Sequence, residues 1–122
     1  MKFAKWIFLI AGIYGILAVA PMYFSEARIA RDYPPAITHP EYFYGFAGVT
    51  LAWQFAFLVI ASNPGRFRLM MLPAVVEKFS YVIAVLFLYS QQRVNTLILS
   101  SAVIDLILGI LFVLAFLRTP KA

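Results

Sequence analysis

Three strongly polar side chains sit inside long apolar segments: Gln54, Glu77 and Asp105, with Lys78 directly after Glu77. An ionisable group inside a membrane span costs ~2.5–3.5 kcal/mol on insertion scales, so its presence asks for a reason. A carboxylate in such surroundings can meet a polar or charged ligand, carry a proton, or hydrogen-bond a neighbouring helix. A fourth group, Glu26 in Ser25-Glu26, ends the first apolar run and places a carboxylate where it would meet an amphiphile. The single histidine lies in Thr38-His39-Pro40-Glu41; one His beside one Glu makes no metal site without further ligands, and it reads as a surface or capping residue. There are no cysteines, which excludes thiolate chemistry and Cys-ligated zinc or iron–sulfur sites. No serine–histidine–acid set, phosphate loop or paired-carboxylate motif occurs, so no catalytic residue, cofactor or metal is assigned.

The elements that position these groups follow from composition. Of 122 residues, 64% are hydrophobic and 12% charged, too little charge to cover a soluble domain of this size, and the mean hydropathy is +0.90. One domain over residues 1–122 is expected at this length. A bilayer core of ~30 Å takes roughly 20 apolar helical residues. Four segments qualify, at about 3–24, 42–62, 69–90 and 97–117, which predicts an all-α integral membrane four-helix bundle. Runs such as Leu106 to Leu114 do not alternate as barrel strands do. Lys2 and Lys5 before an apolar run ending Ala18-Val19-Ala20 resemble a leader with a cleavage site. Pro21 would then open the mature chain, where cleavage is disfavoured, and the apolar run continues through Phe24, so this segment is expected to stay as a membrane helix.

The connections are Asn63-Pro64-Gly65, a strong turn, and Gln91 to Asn95, a compact polar loop. The longer stretch from Ser25 to Glu41 is expected to extend helix one, with Arg28 and Asp32 at helical pairing distance, until Tyr33-Pro34-Pro35 stops it. Orientation follows from Lys and Arg. Six (Lys2, Lys5, Arg66, Arg68, Arg118, Lys121) fall on one side and three (Arg28, Arg31, Arg93) on the other, leaving Lys78 within a span to complete the ten. The six-charge side, with both termini, is expected in the cytoplasm, giving a multi-pass protein of the plasma or, in a bacterium, inner membrane. The net charge of +5 is explained by these topology signals, and no nucleic-acid partner is expected.

Depth arithmetic brings the polar groups together. At ~1.5 Å per residue, Asp105 lies roughly 13 Å, Gln54 roughly 18 Å and Glu77 roughly 16 Å from the outer face. Ser101, Asp105 and Gly109 share one stripe, as do Glu77, Ser80, Tyr81 and Ala84. Ala11 and Gly15 on the first span, and Gly48, Ala52 and Ala56 on the second, offer small faces for close packing. Two readings stay open: a functional cavity, or polar glue worth about 0.6 kcal/mol per contact. Lys78 can turn inward or snorkel to the headgroups. A third span beginning at Pro73 would put Glu77 only roughly 6 Å deep and outside the cluster.

The order of features resembles the EXPERA group of four-helix membrane proteins. The matching residues are Tyr23-Phe24-Ser25-Glu26 closing helix one, Pro34-Pro35-Ala36 in the stretch after it, an aromatic start to helix two with Trp53-Gln54-Phe55 inside it, and the ending Leu117 to Pro120. The resemblance implies a cavity for sterol-like or cationic amphiphilic ligands, with Glu26 and Gln54 carried over as ligand-binding residues. The group's second acidic residue on helix two is replaced by Thr50-Leu51, and no histidine lies in a span, so its isomerase chemistry does not carry over.

Three functions follow. The first is a lipid-, sterol- or amphiphile-binding membrane protein using Glu26, Gln54, Glu77 and Asp105. The second is a non-catalytic subunit that packs against other membrane subunits. The third is a proton-coupled transporter with Asp105 or Glu77 as carrier; internal inverted repeats are missing, and a homodimer would supply the symmetry.

Overall fold

The computed structural model describes residues 2–120; Lys121, one of the six charges counted above, lies outside the described residues with Met1 and Ala122. Among the described residues all regular structure is helical. There are five α-helices: α1 (Lys2–Val19), α2 (Glu26–Asp32), α3 (Pro40–Ser62), α4 (Met71–Ser90) and α5 (Thr96–Arg118). A 3₁₀ segment, Ala20–Phe24, continues α1, and another, Arg68–Met70, leads into α4. The four long helical units are each long and apolar enough to cross a membrane.

Helix one does not run on through Asp32, as the Arg28/Asp32 spacing suggested. Pro21 has no N–H to give the helix, and the backbone tightens into the 3₁₀ segment. The Ser25 hydroxyl then donates to the Pro21 carbonyl at 2.6 Å, and Ser25 leaves helical geometry. The helix restarts as α2, where Arg28 and Asp32 do pair, at 3.8 Å. The other boundaries follow local chemistry. Pro40 opens α3 at its first turn, and Asn95 caps α5 by accepting from the Ile98 N–H at 2.9 Å. Asn63 Oδ1 accepts from the Arg66 N–H and closes the α3–α4 turn.

The long helices stand in the lateral order α3–α1–α5–α4. α1 packs along α3, α4 along α5, and α1 joins the two pairs through α5; α3 and α4 meet only sparsely. The buried face of α1 is Ala4, Phe8, Ala11, Gly12, Gly15 and Val19, the three-and-four spacing of a packed stripe. Gly12 and Gly15 admit α3 closely: a Cβ at Gly12 would lie 2.7 Å from Leu58. The partner stripe on α3 is Ala47, Gln54, Phe57 and Ala61, not Gly48-Ala52-Ala56, since Ala52 faces outward. Side-chain bulk decides this: Gln54 fills the notch at Gly15, and Phe57 reaches the aromatic cluster with Phe8 and Phe112.

The core lies at the end of the bundle that carries both termini. Phe8 and Phe112 stack at 4.2 Å between centroids, and Phe57 meets Phe112 edge-on at 5.0 Å. Ala4, Ala61, Met71, Ala74 and Ala115 fill the space around them. Large apolar side chains such as Leu17, Val59, Leu86 and Leu117 cover the exterior.

Candidate functional site

Toward the end that carries α2, α3 and α4 part and leave a cavity of about 810 Å³. Its apolar wall includes Val19 and Met22 of the first unit, Phe46, Val49 and Trp53 of α3, and Val76 of α4. Its polar wall is Gln54, Glu77, Lys78, Tyr81, Ser101 and Asp105. Val49 of α3 and Val76 of α4 on its wall are well exposed, and the cavity is open to the outside.

Lys78 organises the polar wall. It is 3% exposed, and its Nζ donates to Asp105 Oδ1 at 3.4 Å and lies 3.7 Å from Glu77 Oε2. The second separation is too long for a hydrogen bond, so Glu77 Oε2 is buried with only the charge interaction. The Nζ also sits 5.3 Å from the centre of the Phe57 ring, an attractive placement for a cation. The lysine therefore turns inward and does not snorkel. The two carboxylate side chains, 16% and 18% exposed against 4% for the lysine, cover the ammonium on the cavity side. Two carboxyl groups share one ammonium, so one carboxyl is left without a cation of its own and either takes up a proton or calls for a partner.

One turn further along, Tyr81 Oη and Ser101 Oγ lie 2.8 Å apart. Ser101 already donates to the Ile98 carbonyl, so the tyrosine hydroxyl is the donor to the serine. Gln54 is 1% exposed. Its Nε2 donates to the Thr50 carbonyl at 2.8 Å, one turn back on its own helix, while its Oε1 is buried with no N–H or O–H donor.

The structure thus brings Gln54, Glu77 and Asp105 to one cavity, with Lys78 bridging the two carboxylates. Glu77 stays in the group although Pro73 lies in the first turn of α4: the helical unit already begins at Arg68, and Gly109 of α5 packs beside Lys78 and Phe79. Glu26 is elsewhere. It accepts a hydrogen bond from the Tyr44 hydroxyl at 3.0 Å and lines a separate hollow of about 380 Å³ with Tyr23, Ala27 and Ala36. His39 stacks on Tyr42 at 4.8 Å and stays exposed. The Tyr81–Ser101 bond carries no separate signal in the sequence, although each partner shares a stripe with a carboxylate. The role of Gly15 has none either, because what it accommodates belongs to another helix. Among the described residues no three His, Asp or Glu side chains converge as a metal-ligand set. The chain matches no family model, no curated protein and no solved structure.

Proposed function

We propose that the chain is a multi-pass membrane protein, with both termini on the cytoplasmic side, that binds a lipid-like or sterol-like amphiphile in the cavity between α3 and α4. The observation that carries this reading is the division of the cavity: a wall of apolar side chains faces a wall holding Glu77, Lys78 and Asp105. An apolar cavity with a few convergent polar groups is the usual form of a small-ligand site. The polar end of the ligand meets the carboxylates, and its apolar part leaves through the α3–α4 gap toward the acyl chains. Two carboxyl groups against one ammonium favour a positively charged or hydrogen-bond-donating head over an anionic one. That preference agrees with the ligands implied by the EXPERA resemblance, while Gln54 borders the cavity and shapes it without meeting the ligand. Glu26 would act at the neighbouring hollow. Apolar helices covered outside by Leu17, Leu86 and Leu117 support the membrane setting, and the six-to-three charge asymmetry supports the orientation.

The chain has two tryptophans. Trp6→Phe leaves Trp53, on the cavity wall, as the reporter. In nanodiscs, a brominated long-chain alkylamine should quench Trp53 saturably and at lower mole fraction than a brominated fatty acid. Asp105→Asn keeps hydrogen-bonding capacity while removing the charge, so it should fold and lose that preference. Quenching that rises linearly with probe, with no saturation and no head-group preference, would refute the binding reading. It would leave the accessory-subunit reading, in which a partner's helix seals the α3–α4 gap; exposed Phe46, Val49 and Val76 along that gap favour this second reading. A reporter active only in the cytoplasm, fused to Ala122, should give signal; silence there with an active periplasmic or lumenal reporter would reverse the orientation.

A further inference from the structure

Gln54 poses a problem that the ligand reading does not solve. Its carboxamide oxygen is buried without a donor, and an unpartnered buried acceptor is destabilising. The carboxamide has a second place to go, since Gln54 lines the cavity. It nevertheless lies folded back between α1 and α3.

Gly15 explains the choice. A Cβ built on Gly15 would coincide with the Gln54 carboxamide, overlapping Oε1 and Cδ and coming within 2.7 Å of Cγ. The glycine hydrogen that stands in place of that Cβ lies toward Oε1, a weak Cα–H···O contact that offsets part of the missing hydrogen bond. At its other end the carboxamide is held by the Nε2 bond to the Thr50 carbonyl. That bond also fixes the orientation of the amide: a flip would set Oε1 against a carbonyl oxygen and lose it.

Resting on the binding reading above, we propose that Gly15 is a positioning residue that holds the Gln54 side chain out of the cavity and so sets the space open to the ligand beside Lys78 and Asp105. Any side chain at position 15 evicts the carboxamide. α1 and α3 are already in tight contact one turn away, where a Cβ on Gly12 would lie 3.0 Å from the Gln54 carbonyl. The evicted group therefore turns to the open side, which is the cavity. The displaced atoms are the far end of a flexible side chain, so the helices need not separate.

The test uses the Trp6→Phe protein in nanodiscs and the brominated alkylamine. Gly15→Ala should raise the probe concentration for half-quenching roughly tenfold, and adding Gln54→Ala should return it to within about twofold, because the double variant has nothing to evict. An unchanged midpoint in Gly15→Ala, or a folded double variant that stays impaired, overturns the proposal. If Gly15→Ala fails to fold and the double variant folds and binds, the clash is confirmed as lying between these two residues. If neither folds, Gly15 packs against something other than Gln54 and the proposal falls. A ligand-free readout separates this outcome from failure of the binding reading. The chain has no cysteine, so Ser101→Cys gives one thiol on the cavity wall. Its reaction with a methanethiosulfonate reagent should slow in Gly15→Ala and recover with Gln54→Ala, whether or not the amine binds. Equal rates in all three overturn it.

Discussion

At the level of Phe8, Phe57 and Phe112 the helices close on three rings, with alanines in the gaps and Met71 fully buried. Three to four turns along α1, at Val19 and Met22, the same helices border open space, and α3 and α4 have separated. The boundary between the two regions is the level of Gln54, Lys78 and Asp105. Below it, small residues bring backbones together and aromatic rings fill what remains. At it, the Lys78–Asp105 pair ties α4 to α5 and Gln54 folds against Gly15 of α1, so each helix pair stays closed while the space between the pairs opens. The polar layer is thus at once the floor of the cavity and the roof of the core.

The sharpest way to break this division is to remove its hub. Lys78→Met leaves Glu77 and Asp105 close together without their ammonium. Breaking a buried ion pair from one side costs about 3–5 kcal/mol, so the unfolding midpoint in detergent should fall steeply. Adding Glu77→Gln and Asp105→Asn should recover most of the loss, because the stranded charges are gone. A single variant as stable as the parent would mean that the triad is not one electrostatic unit.

Next comes the contrast between core and rim. Phe112 stacks on Phe8 and is fully buried, so Phe112→Ala should cost about 3–5 kcal/mol through the cavity it leaves. Val49, 63% exposed on the α3–α4 gap, should cost less than ~0.5 kcal/mol as Val49→Ala. Thermal unfolding of the two variants measures both, and similar losses would show that the gap is closed in solution. Arg68→Ala should fall between them. Its Nε donates to the Thr119 carbonyl at 2.7 Å and its guanidinium lies 3.8 Å from the centre of the Phe116 ring, holding the end of α5 to the start of α4. Loss of both contacts should cost about 1–2 kcal/mol, and hydrogen exchange should rise at Phe116 to Arg118 while the amides of Ser101 and Asp105 stay protected.

The difference between the regions also marks what the sequence made legible. The four apolar units were readable to within two residues at each end, because span length is a property of composition along one helix. The shared level of Gln54, Glu77 and Asp105 was readable because depth is arithmetic along each helix separately. Which face of α3 packs was not: Gly48, Ala52 and Ala56 look like a contact stripe, yet Gln54 and Phe57 are buried, because the notch at Gly15 and the rings of Phe8 and Phe112 lie on other helices. The inward turn of Lys78 depends on Asp105, twenty-seven positions away. The break at Ser25 turned on one local choice, a serine hydroxyl taking the carbonyl of a proline four residues back. Glu26 was grouped with Gln54 by its place at the end of the first apolar run and by the EXPERA resemblance, and after the break at Ser25 it lines a different hollow.

The smallest expected effect tests whether stability and the site can be separated. The two tight turns follow the same division. At the terminal end Pro64 and Gly65 are buried, while at the α2 end Gln91, Gln92 and Arg93 are exposed. There the Arg93 N–H donates to the Leu88 carbonyl at 2.8 Å and closes α4 in a Schellman-type end. Such an end puts its last residue in the left-handed region, and Gln92 holds φ 59° without being a glycine. A side chain in that conformation costs roughly 1–2 kcal/mol, and part of the gain from glycine is returned as unfolded-chain entropy. Gln92→Gly should therefore stabilise the protein by about 0.5–1 kcal/mol, seen as a modest rise in the unfolding midpoint. Because the residue lies outside the cavity lining, half-quenching of Trp53 by the alkylamine should not move. A stabilised variant with altered quenching would show that the α4–α5 turn and the cavity are mechanically coupled, and that the open end of the bundle is set from its turn as well as from Lys78.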